Sequence, residues 1–186
     1  MIPIAGAPVR FARRSAPPVA AFVLSLTLSL ITTGQAVAQR RSPPVFTLLG
    51  GPSSYKLAGR GTTYAIGGRF DESIGHYVIF EPGFTFLSYQ PTVAGRVNYL
   101  MPEISLQGQG YLGPIRPFVG TGIGFASVTN GPNLSRTTLH AVGGVRLRLH
   151  DAWGLRLEFR ARSVEPWYGR TFDFLAGISR VMTGGM

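Results

Sequence analysis

Between residues 139 and 162, apolar and polar side chains alternate with a period of two along both arms of one hairpin. Leu139, Ala141, Gly143, Val145, Leu147 and Leu149 share one face of the first arm, and His140, Val142, Gly144, Arg146 and Arg148 share the other. After a turn at His150-Asp151-Ala152, the second arm sets Trp153, Leu155, Leu157, Phe159 and Ala161 against Arg156, Glu158, Arg160 and Arg162. Successive side chains leave opposite faces of an extended backbone, so a period of two means strand. Five arginines on one side of one hairpin rule out an ordinary oily core there.

A slip of one residue in the pairing would turn every one of those arginines to the opposite face. Against lipid, an arginine costs about 2–4 kcal/mol near the bilayer midplane. Half of them at that depth already exceeds about 5 kcal/mol, the stability of a small domain. One register survives. It pairs Leu149 with Trp153, Leu147 with Leu155 and Val145 with Leu157 on the outside. Arg146 then meets Arg156, Gly144 meets Glu158 and His140 approaches Arg162 on the inside. Apolar out and charged in is the alternation of a strand pair that crosses a membrane within a barrel.

The amino terminus agrees with export. Arg10, Arg13 and Arg14 precede an apolar and hydroxyl-bearing run at 19–31, and Ala36-Val37-Ala38 supplies small residues before Gln39. This is the anatomy of a secretory signal peptide, cut between Ala38 and Gln39. The run of 13 residues is too short for a membrane anchor, which needs about 20. Arg40 and Arg41, just past the cut, work against export. No later segment is long and apolar enough for a transmembrane helix, so any crossing further along uses strands.

Cleavage leaves 148 residues and lowers the formal charge from +10 to +7, because three of the 18 cationic residues lie in the signal. That length suits one domain. Seventeen of the 18 are arginine, spread along the predicted strands. No helix-turn-helix or RNA-binding signature accompanies them, which argues against nucleic acid. Outer-membrane lipids and lipopolysaccharide are the expected anionic partners. The chain has no cysteine, so the disulfide staples of many small exported domains are replaced by some other closure, and a closed sheet would serve.

Turn residues divide the remainder into eight candidate strands: 44–52, 61–71, 76–89, 96–109, 115–127, the two arms of the hairpin, and 170–182. In the third, Val78, Phe80, Pro82, Phe84 and Phe86 oppose Glu81, Gly83 and Thr85. In the fourth, Ile104 and Leu106 oppose Glu103, Ser105, Gln107 and Gln109. In the eighth, Phe172, Phe174, Ala176 and Ile178 oppose Asp173, Gly177 and Ser179. An even number of antiparallel strands closes without leaving an edge in hydrocarbon. Short links at 71–75, 110–114 and 150–152 alternate with longer ones at 53–60, 89–95, 129–136 and 164–169, which puts the longer set outside if the amino terminus is periplasmic. Trp153 and the pair Trp167-Tyr168 fall at strand ends, where interfacial aromatics belong. The expected organisation is a signal peptide at 1–38, a short segment at 39–43, an all-β, eight-stranded antiparallel transmembrane barrel of up-and-down topology at 44–182, and a tail at 183–186.

Together these pieces resemble the eight-stranded outer-membrane β-barrel family, the OmpA/OmpX-like barrel domains. The resemblance spans about 44–182. It is carried by the signal peptide, VFTLLGG from Val45, YAIGGRF from Tyr64, FEPGFTF from Phe80, RPFVGTGIGFA from Arg116 and FDFLAGISRVM from Phe172. It implies an interior plugged by side chains, placement in a Gram-negative-type outer membrane by the barrel-insertion machinery, a monomer, and a role in membrane integrity, adhesion or surface binding. The chain ends Met182-Thr183-Gly184-Gly185-Met186 where such barrels usually end on an aromatic residue, and no peptidoglycan-binding domain follows.

Inward Glu81, Glu103, Glu158 and Asp173 are expected to pair with Arg146, Arg148, Arg156, Arg160 and Arg162, because buried charge is tolerated only when paired. An eight-stranded barrel is just wide enough inside for its own side chains, so a wide pore is not expected. Gly120-Thr121-Gly122-Ile123-Gly124 lacks the spacing and the helix of a phosphate loop, and reads as a strand whose glycines clear the lumen. Ser53-Ser54-Tyr55-Lys56 has the SxxK spacing of acyl-serine enzymes, in a predicted loop. His76, His140 and His150 lack metal-ligand spacing, and no cofactor signature is present. The leading expectation is a non-catalytic barrel with a structural or surface-interaction role. A lipid-modifying barrel enzyme is the first alternative and requires His140 or His150 beside a serine and a carboxylate. A soluble, exported, lipocalin-like binder is the second, and requires apolar residues inside.

Overall fold

An alternating strand has polar backbone groups along both edges, and here each edge is met by a neighbouring strand. The computed structural model describes residues 43–57, 59–89, 95–130, 135–150, 152–165 and 169–182. The strands are β1 (Val45–Lys56), β2 (Arg60–Ser73), β3 (Val78–Tyr89), β4 (Val97–Gln109), β5 (Ile115–Val128), β6 (Ser135–Arg148), β7 (Trp153–Val164) and β8 (Gly169–Val181). They close into a barrel in chain order, every pair antiparallel, with β1 returning onto β8. Closure removes the open edge that hydrocarbon cannot solvate. Ala38, Gln39, Trp167 and Tyr168 lie outside the described residues.

The β6–β7 ladder pairs Val145 with Leu157, Arg146 with Arg156, Gly144 with Glu158 and His140 with Arg162, the register that the arginines require. Elsewhere the boundaries move. The sequence suggests a long link at 53–60, but β1 continues to Lys56, paired with Arg60 and Arg170, and the chain turns within 57–59. Ser53 holds that extension in place, turning inward to donate to Asp173 Oδ1 at 2.5 Å. The SxxK segment is therefore strand, not loop. β3 begins at Val78, because His76 is drawn into a stack on Tyr111 with centroids 4.8 Å apart. The links are 57–59, 90–96, 129–134 and 165–168 at one end, and 74–77, 110–114 and 149–152 at the end holding the start of β1 and the finish of β8. The length asymmetry expected from the sequence rests on 90–96 and 129–134 alone.

The outer wall is apolar: Leu48, Val119 and Phe174 are 60%, 69% and 58% exposed. Inside, the largest fully buried side chains are Arg69, Arg156, Arg160 and Arg162. A lipocalin-like interior is the reverse of this. A row of Trp153, Arg180, Phe46 and Phe70 crosses four strands near the termini, with Arg180 stacked over the Trp153 ring at 5.4 Å. Ten residues further along β1, a row of Ser163, Arg170, Lys56 and Arg60 crosses the same four strands. At about 3.3 Å per residue and a tilt of about 40°, the rows stand about 25 Å apart, the height of an outer-membrane apolar band.

The lumen has two storeys. Toward the 57–59 end, Tyr55, Tyr89 and Tyr99 pack in series over Leu87, Met101 and Val164, Tyr55 tilted against Tyr89 at 4.8 Å and Tyr89 stacked on Tyr99 at 5.6 Å. Charged and polar side chains fill most of the rest, with Phe118, Val142 and Ile79 buried among them.

Candidate functional site

Among the described residues, five arginines and five carboxylates converge in the lumen from six strands. Glu81 of β3 meets Arg156 at 2.5 Å, Arg160 at 3.0 Å, Arg146 at 3.5 Å and Arg69 at 3.8 Å. Glu158 of β7 meets Arg156 at 2.6 Å, Arg160 at 2.8 Å and Arg69 at 3.4 Å. Glu103 of β4 bridges Arg69, Arg160 and Arg162 at 3.0, 3.0 and 3.1 Å. Asp173 of β8 takes Arg162 at 2.6 Å, and Asp71 of β2 takes Arg146 and Arg156 at 2.9 and 3.1 Å. The guanidinium groups of Arg146 and Arg156 also lie over the Phe118 ring, at 4.0 and 4.6 Å. With equal numbers of each sign among the described residues, the charges neutralise one another inside the barrel.

Sequence reasoning leaves out two members of this cluster. Arg69 is 1% exposed and touches Glu81, Glu103 and Glu158, and Asp71 closes the periplasm-expected side of the network. The signal was present in β2, where Tyr64, Ile66 and Phe70 alternate with Ala65, Arg69 and Asp71. Two intervening glycines, Gly67 and Gly68, dilute the pattern. Arg148 is a correction in the other direction. It ends β6 and is exposed at the barrel mouth, in a vestibule of about 200 Å³ shared with Arg116, Gln109, Ser73 and His150. Its side chain is exposed there, unlike the buried arginines of the network. Trp153 stands at the start of β7, 47% exposed.

The glycines of β5 make room as their spacing suggests. A Cβ on Gly122 would stand 2.5 Å from His140 Nε2 and would also strike the Ile104 carbonyl. Gly122→Val is therefore expected to destabilise the barrel by about 1–3 kcal/mol through overpacking, measurable as a lowered unfolding midpoint in micelles.

His140 belongs to a second cluster. Its Nε2 lies 2.8 Å from Ser105 Oγ and 3.1 Å from Arg160 Nη1, and its Nδ1 lies 3.5 Å from Glu103 Oε2. Arginine can only donate, so Nε2 accepts and Nδ1 carries the proton that faces Glu103. A serine, a histidine and a carboxylate thus stand in the order that nucleophilic catalysis uses. Their surroundings differ from such a site. Ser105, His140 and Glu103 are 3%, 3% and 5% exposed, and Arg160 occupies the nitrogen that would have to accept the serine proton. His76 and His150 lie apart from this cluster, in the links 74–77 and 149–152. Among the described residues, no group of histidine and carboxylate side chains is arranged to hold a metal ion.

A closed, neutral-plugged, eight-stranded meander with an apolar outer wall is the fold of the small outer-membrane β-barrels. No family model matches the sequence, and no curated protein matches it. Among solved structures, Neisserial surface protein A (NspA) superposes with a TM-score of 0.65 at 15% identity, over 77% of this chain and 100% of its own. The N-terminal β-barrel domain of Pseudomonas aeruginosa OprF follows at 0.54 and 12% identity, over 77% and 100%. Ail, the attachment invasion locus protein of Yersinia pestis, superposes at 0.52 and 10% identity, over 76% and 99%. At these identities the likeness is one of fold.

Proposed function

We propose that the protein is an exported outer-membrane barrel of the Gram-negative type that conducts nothing through its lumen and acts structurally or through its outer rim and links. The carrying observation is the inverted distribution of side chains: a balanced buried plug of five arginines and five carboxylates inside, and exposed leucine, valine and phenylalanine outside. Insertion by the barrel-insertion machinery and a monomeric state suit a sheet with no free edge. Fractionation combined with gel mobility before and after heating tests this reading. Recovery in the outer membrane with a heat-dependent shift is expected. A soluble periplasmic protein without a shift would overturn it. In planar bilayers the folded barrel is expected to show no steady open-pore current.

The Ser105–His140–Glu103 cluster favours a second reading, a barrel enzyme that cleaves a lipid ester. The burial of all three side chains and the competing Arg160 contact weigh against it. Backbone N–H groups of the described strands are engaged in the ladders, so the backbone offers Ser105 no oxyanion hole. Expression of the protein and of its Ser105→Ala variant is expected to leave the acyl pattern of cellular lipid identical. Ser105-dependent deacylation would establish the enzyme reading instead.

A further inference from the structure

At the barrel end away from the termini, three cations stand side by side on adjacent strands. Lys56 of β1 is the register partner of both Arg60 of β2 and Arg170 of β8, and all three are exposed on the lipid-facing side of the alternation. With neighbouring strands about 4.8 Å apart, the row spans about 10 Å. Like charges placed directly opposite one another destabilise a sheet, and the Phe172 ring under Arg170, 5.9 Å away, brings no net negative charge. Of the described acidic residues, five are in the plug, Glu72 is near the other end of β2, and Glu165 is paired with Arg136. The row therefore lacks a protein counter-charge among the described residues.

Directly below it the wall is hollow. Ala141, Ala161 and Thr121 leave a groove of about 680 Å³ between Leu139 and Phe172, and its upper lip is formed by Lys56 and Arg170. A groove with small apolar side chains at its floor and cations at its lip matches an amphiphile with an anionic head and hydrocarbon tail. The height of the row is the height of headgroups, one apolar band away from the Trp153–Arg180 row. We propose that Arg60, Lys56 and Arg170 bind the phosphates of a phosphorylated glycolipid of the outer leaflet, with one of its acyl chains lying along the Ala141–Ala161 groove. The site rests on the outer-membrane placement given above and on the termini facing the periplasm.

The test uses full-length mature protein refolded in zwitterionic micelles, titrated with diphosphorylated lipid A and followed by native mass spectrometry. Binding is expected to weaken at least tenfold in the K56Q/R60Q/R170Q variant and on removal of the lipid's phosphates, and to persist in R60K/R170K. Ala161→Phe, which fills the groove, is expected to weaken binding severalfold with the cations intact. Equal binding by the triple variant, equal binding of dephosphorylated lipid, or equal retention of phosphatidylglycerol would overturn the proposal. Full binding by Ala161→Phe would overturn the acyl-chain part. The heat-dependent gel shift is read on every variant, so a variant that fails to fold is replaced by the corresponding single substitutions. A wild-type protein without that shift would refute the barrel reading itself, a separate outcome from loss of lipid selectivity.

Discussion

Glu81→Gln is expected to remove about 3–5 kcal/mol of folding free energy, the cost of leaving a buried charge without its partner. The Glu81 carboxylate and three of the four guanidinium groups around it, those of Arg69, Arg156 and Arg160, have fully buried side chains. Glutamine keeps the shape and loses the charge. The network is then left with one cation in excess, buried from solvent. Urea unfolding in micelles measures the loss. A double variant, Glu81→Met with Arg156→Met, is expected to recover part of it, because removing both charges abolishes the imbalance that removing one creates. A loss below about 1 kcal/mol for Glu81→Gln would mean that water enters the lumen, since solvated ion pairs are worth little.

Leu157→Arg should cost about 2–4 kcal/mol of insertion free energy, and Phe46→Arg only about 0–1 kcal/mol, because the penalty follows depth in the bilayer. Leu157 faces outward near mid-height, in a row with Val145, Ala176 and Ile66, whereas Phe46 belongs to the row at the rim. Folding yield in lipid vesicles reads both. The contrast separates a lipid-facing wall from a water-facing one, since in water an arginine at Leu157 would be tolerated. Equal and small effects at both positions would remove the membrane from the account of this fold.

Much of the architecture is legible along the chain because an apolar outer wall and a charged interior impose a period of two on most strands. The 139–162 hairpin shows this most plainly. Arg146, Arg156 and Leu157 admit one register, and the ladder adopts it. The β1 extension was harder to read. Ser53 and Ser54 resemble turn residues locally, and only the distant Asp173 on β8 makes Ser53 an inward strand residue. Arg69 was hidden by Gly67 and Gly68, which carry no side chain to mark a face. Arg148 shares the phase of Arg146 but not its depth, and depth is a property of the whole barrel.

By itself the sequence determined the apolar and polar faces of most strands, the pairing within the central hairpin, and therefore that charge lies inside. Those follow from local alternation and from the cost of turning an arginine outward. Tertiary structure alone decided which charges meet. Glu103 touches Arg69 and Arg162, and His140 touches Ser105, only after the strands that carry them are brought around a common axis. It also decided that Lys56, Arg60 and Arg170 form a row. Closure of β1 onto β8 sets that register, and closure is a long-range event that no local pattern encodes.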